Sequence, residues 1–135
     1  MSKALLNDYY AALRDGDFEA LARIVSPDVT VRYFGPPGLL PWVGVHEGFE
    51  AYRRFLTQVR EALGIVEVVQ EAVIAEGDWV VVLGRGRWRA KATQRDIAVN
   101  MTNAFRFAPD ESGRCRVAEY RVYTDTATFA AALKP

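Results

Sequence analysis

Sulfur and imidazole are scarce in this chain: 135 residues carry one cysteine, one histidine and two methionines. A lone Cys115 excludes an intramolecular disulfide and a cysteine-built zinc site, and it suits a reducing compartment, so a cytoplasmic setting is expected. A lone His46 among scattered acids offers no metal-ligand spacing, so no metal and no cofactor are expected. Charge of one sign is lacking too, because seventeen Lys and Arg balance seventeen Asp and Glu. A general nucleic-acid or anionic-membrane binder is clearly basic, which argues against both partners. No apolar run is long enough to span a bilayer. The opening MSKALLNDYYAALRDGD places acids and tyrosines where a signal peptide needs an unbroken apolar block. Internal repeats, low-complexity tracts and interdomain linkers are absent as well.

What is present is a globular composition, 50% hydrophobic, 12% aromatic and 25% charged, of a length that suits one domain over 1–135. Leu6, Tyr9, Tyr10 and Leu13 fall at three- and four-residue spacing, one face of a first helix. Asp17 can cap a second helix carrying Phe18, Leu21, Ala22 and Val25, which Ser26-Pro27-Asp28 should end. Val29, Val31 and Tyr33 then alternate as a strand. The stretch Gly35-Pro36-Pro37-Gly38-Leu39-Leu40-Pro41-Trp42 reads as a loop acting as lid or wall. A third helix carries Phe49, Tyr52, Phe55, Leu56, Val59 and Leu63 on one stripe, with Gly64 closing it. From there the period switches to two, predicting strands over roughly 65–75, 79–91, 96–108 and 115–124, then a short helix through Phe129 and Leu133. The order αα-β-α-ββββ-α predicts an α+β fold, a strongly curved antiparallel meander with helices over one face.

Alternation also orients the strands. Arg85, Arg87 and Arg89 share one parity and must face water or a polar partner, which turns Gly84, Gly86 and Trp88 toward the helices. The same reasoning turns Met101, Asn103 and Phe105 inward, with Tyr120 and Val122 from the last long strand and Val66, Val68, Gln70 and Ile74 from the first. Glycines that remove volume, an inward amide and aromatic walls (Tyr9, Tyr33, Trp42, Trp88, Tyr120) describe a ligand cavity. The competing reading is an ordinary core in which the glycines mark sheet curvature and Asn103 bonds to Tyr9. Outward, Glu67, Glu71 and Glu119 stand ready as cross-strand partners for the arginines of the GRGRWRAK run, a salt-bridged face suited to a homodimer interface.

Tyr9-Tyr10-Ala11-Ala12-Leu13-Arg14-Asp15-Gly16-Asp17 followed by Ser26-Pro27-Asp28-Val29-Thr30-Val31 resembles the opening of ketosteroid-isomerase-like and SnoaL-like proteins, within the nuclear transport factor two-like superfamily. Gly44-Val45-His46-Glu47-Gly48, Asn103-Ala104-Phe105-Arg106-Phe107 and Tyr123-Thr124-Asp125-Thr126-Ala127 continue the likeness along nearly the whole chain. The resemblance implies a cone whose interior holds a hydrophobic ligand, often in a homodimer. It also implies site positions. Tyr9 falls on the isomerase oxyanion-hole tyrosine, Asn103 on the late-strand acid, and Tyr33 where the carboxylate base belongs. Val122 and Asn103 fall on the acid/base pair of the polyketide cyclases, and Gly84, Gly86 and Val122 on the epoxide-hydrolase set. All three catalytic sets are therefore incomplete here.

Two functional readings stand at this point. In one, an isomerase, cyclase or lyase-type enzyme acts on a carbonyl or polycyclic compound, with Tyr9 and Asn103 polarising an oxygen and Asp125 or His46 moving a proton at the rim. In the other, a non-catalytic binder or dimeric interaction module uses the same cavity or the outer face. Tyr33, Trp42, His46, Gly84, Gly86, Trp88, Met101, Tyr120 and Val122 are the expected ligand contacts. For Asp125 the simpler expectation is a cap on the last helix.

Overall fold

A strand that is apolar on one side only needs cover on that side. In the computed structural model, which describes residues 3–135, one curved sheet wrapped over four helices supplies it. Met1 and Ser2, at the head of the N-terminal stretch, lie outside the described residues. The helices are α1 (Lys3–Asp15), α2 (Phe18–Ile24), α3 (Phe49–Ala62) and α4 (Thr126–Leu133). The strands are β1 (Val25–Tyr33), β2 (Gly44–Glu47), β3 (Leu63–Glu76), β4 (Trp79–Ala90), β5 (Asp96–Pro109) and β6 (Cys115–Thr124). They form one unclosed sheet in the order β2-β1-β6-β5-β4-β3.

The α+β architecture and the long meander match the expectation, with four differences. First, β1 and β6 run parallel, so the sheet is not wholly antiparallel. Second, Val25 leaves α2 in extended conformation and starts β1, which passes through Pro27. Pro27 sits in the irregularity between Val25 and Thr30, where the ladder with β6 does not need its missing N–H. Third, Gly44–Glu47, to which the sequence pattern assigns no element, form the short strand β2 and pair with Thr30–Tyr33. Fourth, Gly64 does not close α3; Leu63 turns straight into extended backbone and Gly64 lies in β3.

Side-chain parity holds through β4 and β5 and from Glu119 to Thr124 of β6; a register shift opposite Arg106/Phe107 inserts Ala118, and before it Val117 is buried in the core. Val80, Val82, Trp88, Ile97, Val99, Phe105, Tyr120 and Val122 are all buried on the inner face. On the outer face Arg85 meets Glu71, Arg87 meets Glu67 and Arg89 meets Asp96. Glu119, almost buried there, gathers Arg121 at 2.6 Å, Arg32 at 3.3 Å and Arg106 at 3.6 Å. In β3 parity breaks. Register shifts at Ile65/Glu67 and Gln70/Ala72 each insert one residue, and an inserted residue reverses the facing of everything after it. Ile74, expected inside, therefore pairs with outward Val81 and is half exposed.

Candidate functional site

Between the inner sheet face and the helices lies a cavity of about 490 Å³. Its floor is buried sheet: Tyr33 from β1, Asn103 from β5, and Tyr120 and Val122 from β6. Phe55, Leu56 and Val59 wall it from α3, and Trp88 against Phe129 closes one end, their rings 5.4 Å apart. The exposed part of the lining is Asn7 and Arg14 on α1 and Ile65 to Val68 with Gln70 on β3, so the mouth opens between α1 and the β3 edge.

Few polar groups break this apolar surface. Asn103 Nδ2 donates to the Tyr10 hydroxyl at 2.9 Å. A phenol oxygen that accepts from an amide keeps its own proton free to donate. Burial pushes the Tyr10 phenol up to about 12, with the Asn103 hydrogen bond opposing, so at neutral pH it is an uncharged donor. Asn103 Oδ1 is buried with no hydrogen-bond partner among the described residues. An orphaned buried acceptor costs about 1–3 kcal/mol, which a ligand hydroxyl or an ordered water can relieve. Burial likewise raises the phenols of Tyr33 and Tyr120, so neither is a base near neutrality. Among the described residues Glu67 is the only carboxylate in the lining, and its Oε2 lies 3.7 Å from Arg87 on β4. Among the described residues no group of three or more His, Cys, Asp or Glu could hold a metal ion.

Of the residues singled out from sequence, Tyr33, Trp88, Met101, Asn103, Tyr120 and Val122 line this cavity. The others lie elsewhere. Tyr9 is fully buried, and its hydroxyl shares a hydrogen bond with Tyr52 at 2.7 Å rather than with Asn103. Its ring fills core against Phe105 and Tyr120. Trp42 is buried edge-on to Tyr33, one layer behind the wall. His46 bonds through Nε2 to the Trp42 carbonyl at 2.9 Å and packs on Phe55. A Cβ on Gly84 would lie 2.6 Å from the Val69 carbonyl oxygen, and one on Gly86 would run into the Trp88 ring. These glycines admit a close backbone and seat an indole; they do not open the cavity. Asp125 is exposed and caps α4, accepting from Thr128 N at 3.2 Å and from the Thr128 hydroxyl at 2.7 Å. Those two bonds lower its pKa, as expected of a cap rather than a proton shuttle.

Sequence reasoning misses Tyr10, the tyrosine that actually reaches Asn103. It also assigns Phe55, Leu56 and Val59 to plain core. The Tyr9-Tyr10 doublet is the available signal, since a helix places adjacent residues about 100° apart and both lie within the apolar stripe.

Comparison with known proteins agrees with the fold. A family model described as a SnoaL-like domain matches residues 6–120. No curated protein matches the chain. An NTF2-like protein from Burkholderia xenovorans LB400 is 25% identical with TM-score 0.77, the match covering 97% of this chain and 94% of that one. TerC, co-crystallized with polyporic acid, is 21% identical with TM-score 0.81, covering 98% and 97%. A protein with a ketosteroid isomerase-like fold from Catenulispora acidiphila DSM 44928, in complex with trimethylamine, is 15% identical with TM-score 0.75, covering 98% and 93%. The last two likenesses are of fold alone.

Proposed function

This chain belongs to the SnoaL-like domain family, and from that premise we propose that it binds a small hydrophobic carbonyl or polycyclic compound in the cavity, anchored by Tyr10 and Asn103. One observation carries the reading. A free phenol proton and an orphaned amide oxygen stand side by side in a cavity walled mainly by apolar and aromatic side chains. Apolar walls supply most of the affinity of such a site, and a few placed polar groups fix orientation. Neighbours of the same fold have been crystallized with polyporic acid and with trimethylamine, which supports a cone that accepts small molecules.

A catalytic version of this reading is an isomerase, cyclase or lyase-type step. It is favoured by the same pair, because a neutral phenol donor in a water-poor site stabilises oxygen as it becomes negative. In that version the proton is moved at the mouth by Glu67 rather than by Asp125, which caps a helix. We also propose a cytoplasmic homodimer joined through the outer sheet face. There Phe34 and Tyr123 stack 4.7 Å apart beside exposed Leu83, and a lone protomer leaves all three in water.

Native mass spectrometry of freshly purified protein tests both parts. The expected result is a dimer carrying a small hydrophobic molecule that denaturation releases. A bare monomer that also fails to bind a naphthyl ketone would overturn the proposal.

A further inference from the structure

We infer that the molecule held in this cavity carries an anionic oxygen, and that Arg14 at the mouth selects for it. The inference rests on the binding function proposed above and names the ligand class more narrowly.

The argument starts from the helix. Asn7, Tyr10 and Arg14 follow one another at three- and four-residue spacing, so α1 presents them as one polar stripe to the cavity. At 1.5 Å rise per residue, Arg14 stands about 6 Å further along the axis than Tyr10. A ligand whose carbonyl or hydroxyl meets Tyr10 and Asn103 therefore brings a second oxygen, one ring further out, level with the guanidinium.

The charges around the mouth leave Arg14 available. Glu67, the only acid in the lining among the described residues, has its charge offset by Arg87 at 3.7 Å. Arg60 is spent on the Leu13 carbonyl at 2.9 Å. Among the described residues Arg14 pairs only with its chain neighbour Asp15, at 3.3 Å, with both side chains more than 60% exposed. Exposed pairs of that kind contribute little and exchange readily. The guanidinium fork matches a carboxylate, or an ionised enol, through two parallel N–H···O bonds. Around it the mouth is walled by Ile65, Val66 and Val68, and Arg14 is the cation in the described lining, with the amides of Asn7 and Gln70 as neutral donors.

A matched pair of probes tests this: naphthalene-2-carboxylate and its methyl ester, each titrated against wild type, Arg14→Gln and Arg14→Lys by fluorescence at low and high salt. Wild type should bind the carboxylate about tenfold more tightly than the ester. The advantage should shrink with salt, vanish in Arg14→Gln and survive in part in Arg14→Lys, with ester binding unchanged throughout. An ester bound as well as the carboxylate overturns the inference and leaves the binding function standing. A preference that persists in Arg14→Gln overturns the assignment to Arg14. If neither probe binds wild type, the binding function fails and the inference falls with it. Arg14 is exposed at a helix end, and circular dichroism of each variant confirms that the comparison is made on folded protein.

Discussion

Asn103 Nδ2 donates to the Tyr10 hydroxyl across 2.9 Å, tying the middle of β5 to the cavity side of α1. The amide is 5% exposed, so each end of this bond is costly to orphan. Tyr10→Phe should therefore destabilise the fold by about 1–2 kcal/mol in urea denaturation and weaken binding of a naphthyl ketone about tenfold. Asn103→Leu removes both polar atoms at once and replaces them with apolar volume. Stability should then fall by less than in Tyr10→Phe, because the orphaned Oδ1 goes with the side chain and only the Tyr10 hydroxyl loses its partner, while ketone binding is lost. A destabilised Asn103→Leu that binds normally would show that the amide serves packing alone.

Tyr9 provides the contrasting case. Its hydroxyl and that of Tyr52 satisfy each other 2.7 Å apart in full burial, outside the cavity lining. Tyr9→Phe should cost about 1 kcal/mol of stability, as one neutral buried hydrogen bond does. Ketone affinity should change by less than about twofold. The measurement is the same pair of titrations, and a tenfold affinity loss in Tyr9→Phe would return the anchor role to this residue.

These two neighbours also show where sequence stops informing. Strand parity is legible in β4, in β5 and in β6 from Glu119 onward because alternation there is unbroken, and alternation alone aims Asn103, Trp88, Tyr120 and Val122 inward. In β3 one inserted residue reverses the parity and a second reverses it back, so Val68 and Gln70 face in but Ile74 does not. Nothing local marks a bulge in a run as uniform as Val-Glu-Val-Val-Gln-Glu-Ala-Val-Ile, so simple alternation points Ile74 the wrong way. Tyr9 and Tyr10 share one apolar stripe, and the choice between them is made by Tyr52, forty-three residues away on α3. That is tertiary information. Pro27 hides the start of β1 for a similar reason: it is harmless only because the ladder is irregular at that point. Volume alone misleads at the glycines. Gly86 is vacant of side chain, yet the ring of Trp88, two residues on, occupies the vacancy.

Asp125 separates capping from chemistry. Both carboxylate oxygens are engaged by Thr128, one by its backbone N–H and one by its hydroxyl. Asp125→Ala should lower the thermal midpoint, whereas Asp125→Asn and Asp125→Ser, both good caps, should nearly preserve it. Ligand binding should be the same in all three. Any turnover found for a carbonyl substrate should likewise survive Asp125→Asn, and its loss there would make this carboxylate the acid/base group after all.

The two sheet glycines should respond differently to one added methyl. At Gly84 the obstacle is the Val69 backbone carbonyl, 2.6 Å from the new carbon, and β3 would have to move as a strand. Gly84→Ala should cost about 2–3 kcal/mol, in the range of overpacking. At Gly86 the obstacle is the far edge of the Trp88 ring, which can swing toward Phe129 and the cavity. Gly86→Ala should therefore cost less stability but shift the tryptophan emission and weaken ligand binding, since the ring moves into ligand space. Equal stability losses with unchanged emission would contradict this account.

Glu119 ties the outer face to pH. Burial raises its pKa, but the hydrogen bond and charge of Arg121, with the charges of Arg32 and Arg106, outweigh that and hold the carboxyl below 4.5, its usual value. A carboxyl with a depressed folded pKa binds protons less readily folded than unfolded, so the folded state gains wherever the group is ionised. The contribution is complete above pH 4.5, the value assigned to the unfolded group, and fades as pH falls through the lower folded value. Glu119→Gln removes it at every pH and leaves three arginines facing one another without their common anion. Urea denaturation at pH 7 should show a loss of about 1–2 kcal/mol for the variant. As pH is lowered from about 5 toward about 3, wild type should lose stability faster than the variant and the two curves should converge. Parallel curves across that interval would mean that Glu119 titrates alike in both states, and that the arginine cluster contributes nothing to folding.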